Sequence, residues 1–219
     1  MGYRAVIFDL DGTLLDTLAD LGNAMNATLI AHGFPTHNAD DYRRIIGGGM
    51  ASFVEKAFPS TGWDRARIGE IVAHVRAEYA TRWDEYTAPY PGIEEMLDAL
   101  AARGIRMSVL SNKVDDFTKR IVASLLPRWR FDAVYGERAG IPVKPDPVSA
   151  LEIARIMEVD PASCVFVGDS GIDMKTGRAA GMFPVGVAWG FRGEEELRSS
   201  GAGRIIHAPG ELVSMFDAD

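Results

Sequence analysis

The chain has 219 residues, enough for one large domain or for a main domain with a smaller insert. Its 47% hydrophobic and 25% charged content is that of an ordinary globular protein in water, and 31 acidic against 23 basic residues give a net charge of −8. No basic cluster stands out, which disfavours nucleic acid and anionic membranes as partners; an anionic substrate would need local rescue by a cation, a lysine or backbone N–H groups.

The first element is a strand over Ala5-Val6-Ile7-Phe8. Its unbroken apolarity fits a strand buried on both faces of a parallel sheet. Leu18, Leu21, Met25 and Leu29 then recur at helical steps as far as His32-Gly33. A short helix is expected over Asp40–Ile46, another over Met50–Phe58, and a long helical stripe runs through Ile68, Ile71, Val72, Val75, Tyr79 and Trp83. Nothing from Thr17 to Thr87 reads as a strand. After Pro91-Gly92 strands and helices alternate. Helices are expected over Ile93–Leu100, Phe117–Leu126, Pro147–Met157 (capped by Asp146) and Ile172–Ala180. Strands are expected at Met107–Ser111, Ala133–Tyr135, Cys164–Val167, Val185–Val187 and Ile205-Ile206, the last two each followed by a short helix. This alternation predicts an α/β protein with a Rossmann-like parallel sheet, residues 1–15 and 88–219, interrupted by an all-helical insert, residues 16–87, at the mouth of the site.

The lone Cys164 lies in an apolar run and should pack as a small buried hydrophobe. No apolar stretch is long enough to span a bilayer, and the first strand follows the N-terminus too closely for a signal peptide. A reduced, cytoplasmic protein is expected, with no membrane partner and an oligomeric state left open.

The chemistry centres on Asp9 and Asp11, which end the first strand before Gly12. Ligands in doubly wound sheets gather beyond the carboxyl ends of the strands. Period-two geometry puts both carboxylates on one side, and two like charges so close ask for a cation or a proton between them. An oxygen-only pair favours a hard ion such as Mg2+. Taken alone, the pair would be two solvated aspartates in a βα turn. Three later segments end strands with polar groups in the same way: Ser111-Asn112, Lys144 among prolines, and Gly168-Asp169-Ser170 with Asp173. Each has a bland reading, as a helix cap, a surface lysine or turn charges. Their conjunction at the ends of one sheet does not.

With these residues together the chain resembles the haloacid dehalogenase superfamily. Asp9-Leu10-Asp11-Gly12-Thr13 matches its first motif, Ser111 its second, Lys144 its third, and Gly168-Asp169-Ser170 with Asp173 its fourth, while the helical block matches the inserted cap of one subgroup. A finer likeness to phosphoglycolate phosphatases runs through Phe8–Asp16, Ile46–Gly49, Ser111-Asn112-Lys113 and Lys144–Pro147. The resemblance implies a Mg2+-dependent phosphomonoester hydrolase acting through an aspartyl-phosphate on a small phosphorylated metabolite, with 2-phosphoglycolate as the expected substrate. It further implies that Asp9 is the nucleophile, Asp11 the general acid and base, and Asp9, Asp169 and the backbone carbonyl of Asp11 the metal ligands. Ser111, the backbone at Asn112, and Lys144 would hold the phosphoryl oxygens, and Thr13 and Asp173 would support them, Asp173 by orienting Lys144 or metal-bound water.

In the insert, Gly47-Gly48-Gly49 is either a loop between helices or a run of bare N–H groups approaching the substrate's anionic tail, and Arg43 could pair with a carboxylate there. The four histidines show no metal-like spacing. Alternative readings are a phosphatase of the same superfamily acting on a sugar phosphate, nucleotide or pyrophosphate, and a phosphomutase, against which Thr13 argues mildly. A dehalogenase would lack Asp11. A phosphorylation switch would lack both the Asp-x-Asp arrangement and the helical insert.

Overall fold

The side chains of Val6, Ile7 and Phe8 have no polar atoms, and β1 (Ala5–Phe8) is sealed on both faces in the computed structural model, which describes residues 2–59 and 63–217. β2 (Arg106–Val114) pairs with it on one side and β4 (Cys164–Gly168) on the other, with β3 (Val134–Glu137) beyond β2, and β5 (Phe183–Val187) then β6 (Arg204–Ile206) beyond β4. The order is β3-β2-β1-β4-β5-β6 with every pairing parallel. The chain steps outwards from β1 to β3, then resumes on the opposite side at β4. Such a reversal opens a crevice between the carboxyl ends of the two strands that flank it. Asp9 follows β1 and Asp169 follows β4, so both expected metal ligands stand at that crevice.

The chain divides into two compact units, Met1–Leu15 with Pro89–Asp219, and Asp16–Ala88. Four helices build the second: α1 (Leu18–Ala31), α2 (Ala39–Ile45), α3 (Gly49–Ala57) and α4 (Arg65–Ala80). Leu21, Met25 and Leu29 of α1 and Ile71, Val75 and Tyr79 of α4 are buried at four-residue steps. Asn38 and Asp41 form a reciprocal capping box on α2, and Asp64 caps α4 through Arg67 N–H at 2.9 Å. The stripe expected to reach Trp83 outlasts its helix, since α4 stops at Ala80 and Trp83 is buried in the turn beyond.

The sheet carries α5 (Ile93–Ala102), α6 (Asp115–Leu125), α7 (Val148–Ile156), α8 (Gly171–Ala179), α9 (Glu194–Ser199) and α10 (Gly210–Val213). Ala150, Ile153 and Ala154 of α7 pack with Ile7, Cys164 and Phe166 in one apolar cluster. Burial pushes the Cys164 thiol up to about 11, as suits an inert core cysteine. Two boundaries differ from the sequence pattern. α7 starts one residue late: Pro147 is its N-cap, and Asp146 instead accepts from Val148 N–H at 2.9 Å. β2 runs on through Ser111, Asn112 and Lys113 to Val114, with irregular pairing to β3 after Leu110. A polar run carries no apolar signal, yet here it is held as strand by what its side chains bind. No helix among the described residues is long and apolar enough to cross a membrane.

Candidate active site

The backbone N–H of Asp9 donates to Val167 O at 2.8 Å, so the ladder between β1 and β4 carries the carboxylate to the crevice. Its Oδ1 accepts from Leu10 N–H at 2.7 Å and lies 2.8 Å from Lys144 Nζ. The same ammonium donates to Asp173 Oδ1 at 2.7 Å. Asn112 seats the lysine from its backbone, donating Nδ2–H to Lys144 O at 3.0 Å and accepting Lys144 N–H at 2.9 Å. The Asn112 side chain is thus spent on Lys144, which leaves its backbone for any phosphate contact. Asp173, in the first turn of α8, accepts at Oδ2 from Ser170 N–H (3.1 Å) and Ser170 Oγ–H (2.6 Å). Asp169 accepts Phe191 N–H at Oδ2, 2.7 Å away. Gly12 turns the chain with φ of 83°, and a Cβ there would come within 2.4 Å of Asp169 Oδ2. Only glycine fits both demands.

Carboxylate oxygens of Asp9, Asp169 and Asp173 lie within 4.8 Å of one another, and all three residues are buried. Burial is the largest influence on Asp9 and, with the Asp173 charge, pushes its carboxyl up to about 7 against the pull of Lys144. Burial and the charges of Asp173 and Asp9 also raise Asp169 well above the ordinary carboxylate range, against the Phe191 N–H and the Arg192 charge. Burial opposes the charge on Lys144, but Asp173 and Asp9 outweigh it and its pKa is raised. Three clustered carboxylates, two of them (Asp9 and Asp173) paired with the single ammonium of Lys144, form an electrostatically incomplete cluster. Oxygen donors alone, in excess negative charge, fit a hard divalent cation.

Ser111 is buried in β2, its Oγ accepting Lys113 N–H at 3.1 Å. Thr13 is buried, with its Oγ1 unpartnered among the described residues and its carbonyl accepting Trp189 Nε1–H at 3.0 Å. The Asp11 side chain stands apart from the three clustered carboxylates and pairs with Lys113 Nζ at 2.8 Å. Gly47, Gly48 and Gly49 belong to the helical unit and have φ of 115°, 76° and 87°. Three successive left-handed residues each favour glycine. Arg43 pairs with Asp40 one helical turn away at 2.6 Å, both exposed. His32 and His74, far apart in sequence, meet at 3.0 Å between α1 and α4.

Two contributors were given no role from the sequence, although Lys113 stood within the Ser111-Asn112-Lys113 likeness. Lys113 stands two residues beyond Ser111, and in a strand that spacing returns to the same face. Assigning the strand's end to Ser111 hid it. The segment after β5 supplies Trp189 and Phe191 to Thr13 and Asp169, and a Cβ on Gly190 would come within 2.2 Å of Asp169 Cβ. The one local signal was a glycine beyond a strand's carboxyl end.

A family model described as haloacid dehalogenase-like hydrolase matches residues 6–187. A phosphoglycolate phosphatase of Aquifex aeolicus is 32% identical over 214 residues, covering 98% of this chain and 97% of that protein. An N-acetylmuramic acid 6-phosphate phosphatase of Pseudomonas aeruginosa is 32% identical over 230 residues, covering 99% and 96%. Among solved structures, a Lactobacillus delbrueckii subsp. bulgaricus protein provisionally described as a phosphoglycolate phosphatase superposes with a TM-score of 0.92 over 100% of both chains, at 29% identity.

Proposed function

The chain belongs to the haloacid dehalogenase-like hydrolase family, and on that premise we propose that it is a metal-dependent phosphatase hydrolysing the phosphate monoester of a small carboxylic acid, with 2-phosphoglycolate as the substrate of first choice. The observation that supports this reading is the buried group of Asp9, Asp169 and Asp173 at the switch point of the sheet, with Lys144 paired to Asp9 and Asp173.

Asp9 Oδ1 is held by Leu10 N–H and Lys144, so Oδ2 is the oxygen that attacks phosphorus. As the new P–O bond forms, the ester P–O bond breaks and Asp11 gives its proton to the departing alkoxide. Asp11 then takes a proton from the water whose oxygen bonds to phosphorus, and the aspartyl-phosphate is cleaved to phosphate and free Asp9. Ser111 Oγ–H, the Asn112 backbone N–H and the Lys144 ammonium hold the phosphoryl oxygens while charge moves among them. A Mg2+ ion held by Asp9, Asp169 and the Asp11 carbonyl would offset the repulsion between an anionic nucleophile and a phosphate dianion. Asp173 acts by holding Lys144.

The names of the two bacterial relatives both denote phosphorylated acids, one a two-carbon acid and the other an amino-sugar acid. The sugar phosphate is therefore the second reading. Phosphate release from a panel of about fifty small phosphoesters with Mg2+ tests both. The expected result is a kcat/KM for 2-phosphoglycolate at least tenfold above that for sugar phosphates. The opposite ranking would transfer the assignment to a sugar acid, and no release from any ester would defeat the hydrolase reading.

A further inference from the structure

We propose that Lys113 is a positioning residue for Asp11: its ammonium occupies Asp11 Oδ1 and so directs Oδ2 at the leaving oxygen and then at the attacking water. The inference rests on the acid–base role given to Asp11 above.

The pair is short and enclosed. Lys113 Nζ lies 2.8 Å from Asp11 Oδ1, with side-chain exposures of 5% and 16%. Lysines are rarely buried unless paired, and a buried ion pair contributes little to stability because both charges lose their hydration. Such a pair at the mouth of a catalytic crevice is better explained by what it orients.

The mount of the lysine is rigid. Its N–H donates to Ser111 Oγ at 3.1 Å, and its carbonyl accepts from Thr118 Oγ1–H at 3.2 Å. Strand β3 presses on the same carbonyl, since a Cβ on Gly136 would come within 2.3 Å of it. Gly136 N–H in turn donates to Asp115 Oδ1 at 2.9 Å, fixing the residue where α6 begins. The backbone of Lys113 is therefore tied on both its N–H and its carbonyl, and its buried side chain reaches Asp11 from there. The backbone of Asp11, two residues beyond β1, is tied by its bridge to Leu15 and by Gly12 N–H donating to Leu15 O at 2.9 Å, so what is left to set is the direction of the carboxylate that must transfer a proton twice. A carboxylate with one oxygen tethered keeps the other in a fixed direction. Misplacement by about 1 Å of a group of this kind costs about a hundredfold in rate.

Lys113 sits on the face of β2 that carries Ser111, one period further along. One strand thereby sets both the phosphoryl site, through Ser111, and the acid–base group, through Lys113.

The test uses the full chain with Mg2+ and 4-nitrophenyl phosphate, whose leaving group needs little protonation, in rapid-mixing kinetics. The variants are Lys113→Met, Lys113→Arg, Asp11→Asn, and Lys113→Met combined with Asp11→Asn, each checked for folding by circular dichroism. Lys113→Met should release one equivalent of nitrophenolate per enzyme in a burst and then turn over about a hundredfold more slowly, with kcat/KM changed less than about threefold because KM falls together with kcat when only the second step is slowed. Lys113→Arg should recover part of the steady rate. In the Asp11→Asn background, Lys113→Met should change nothing further, because the lysine acts through the aspartate. Equal losses in both backgrounds, or a KM raised tenfold, would mean that Lys113 meets the substrate directly, and the proposal falls. Normal turnover by Lys113→Met beside a stalled Asp11→Asn overturns this inference alone. Normal turnover by Asp11→Asn removes the acid–base reading and the inference with it. If Lys113→Met does not fold, Lys113→Gln is read by the same criteria.

Discussion

The ammonium of Lys144 donates to Asp173 Oδ1 at 2.7 Å, and the two side chains are 3% and 0% exposed. Removing one partner of such a pair strands the other charge away from water. Lys144→Met leaves both Asp173 and Asp9 without their shared cation. It should lower unfolding free energy at pH 7, in metal-free protein, by about 3–5 kcal/mol. Urea titrations of both proteins measure this, and an unchanged midpoint would show that the pair is not isolated from water.

The metal-free wild-type protein should itself lose stability as pH rises. Asp9 titrates near 7 in the fold, against about 3.9 in an unfolded chain. Between those values the folded state holds more protons than the unfolded one, so unfolding free energy falls with increasing pH. The contribution is complete below about pH 4 and gone above about pH 7. Thermal melts in excess chelator should show this slope, and saturating Mg2+ should flatten it. A rise in Tm across the same window in chelator would contradict the raised carboxyl.

Asp9→Asn retains the side chain's size and its contact with Leu10 N–H, but removes the charge and the nucleophile. Turnover should fall by about a thousandfold or more with circular dichroism unchanged. Appreciable residual activity in a preparation free of wild-type protein would count against the covalent route.

Chelation should abolish phosphate release, and Mg2+ should restore it. Ca2+ should bind without full restoration, because it takes looser and higher coordination than Mg2+. Full activity in excess chelator would remove the metal from the mechanism.

Asp20 is a structural prediction for the helical unit. Buried in α1, its Oδ2 accepts Thr87 N–H at 2.8 Å, Thr87 Oγ1–H at 2.7 Å and Tyr86 N–H at 3.1 Å. It ties the beginning of the unit to its end. Asp20→Ala leaves these donors unmatched and should cost about 2–4 kcal/mol. Denaturation monitored by tryptophan fluorescence and circular dichroism would check this.

The sequence by itself determined the kind of the long elements and the position of the first two acids. Val6-Ile7-Phe8 announced a doubly buried strand, the stripe from Leu18 to Leu29 announced α1, and Asp9 and Asp11 could stand only where that strand ended. These are properties of one segment, written in its own period and polarity. Only the tertiary structure decided which charge answers which. Lys113 meets Asp11 across 102 residues, Phe191 N–H meets Asp169, and Asp173 rather than Asp11 completes the carboxylate cluster. The glycine run at 47–49 takes up three successive left-handed conformations, a backbone fact with no composition signature beyond glycine itself. Strand order places such partners side by side, and lateral order leaves no periodic trace in the segments it joins, because each strand looks equally buried whichever neighbour it receives.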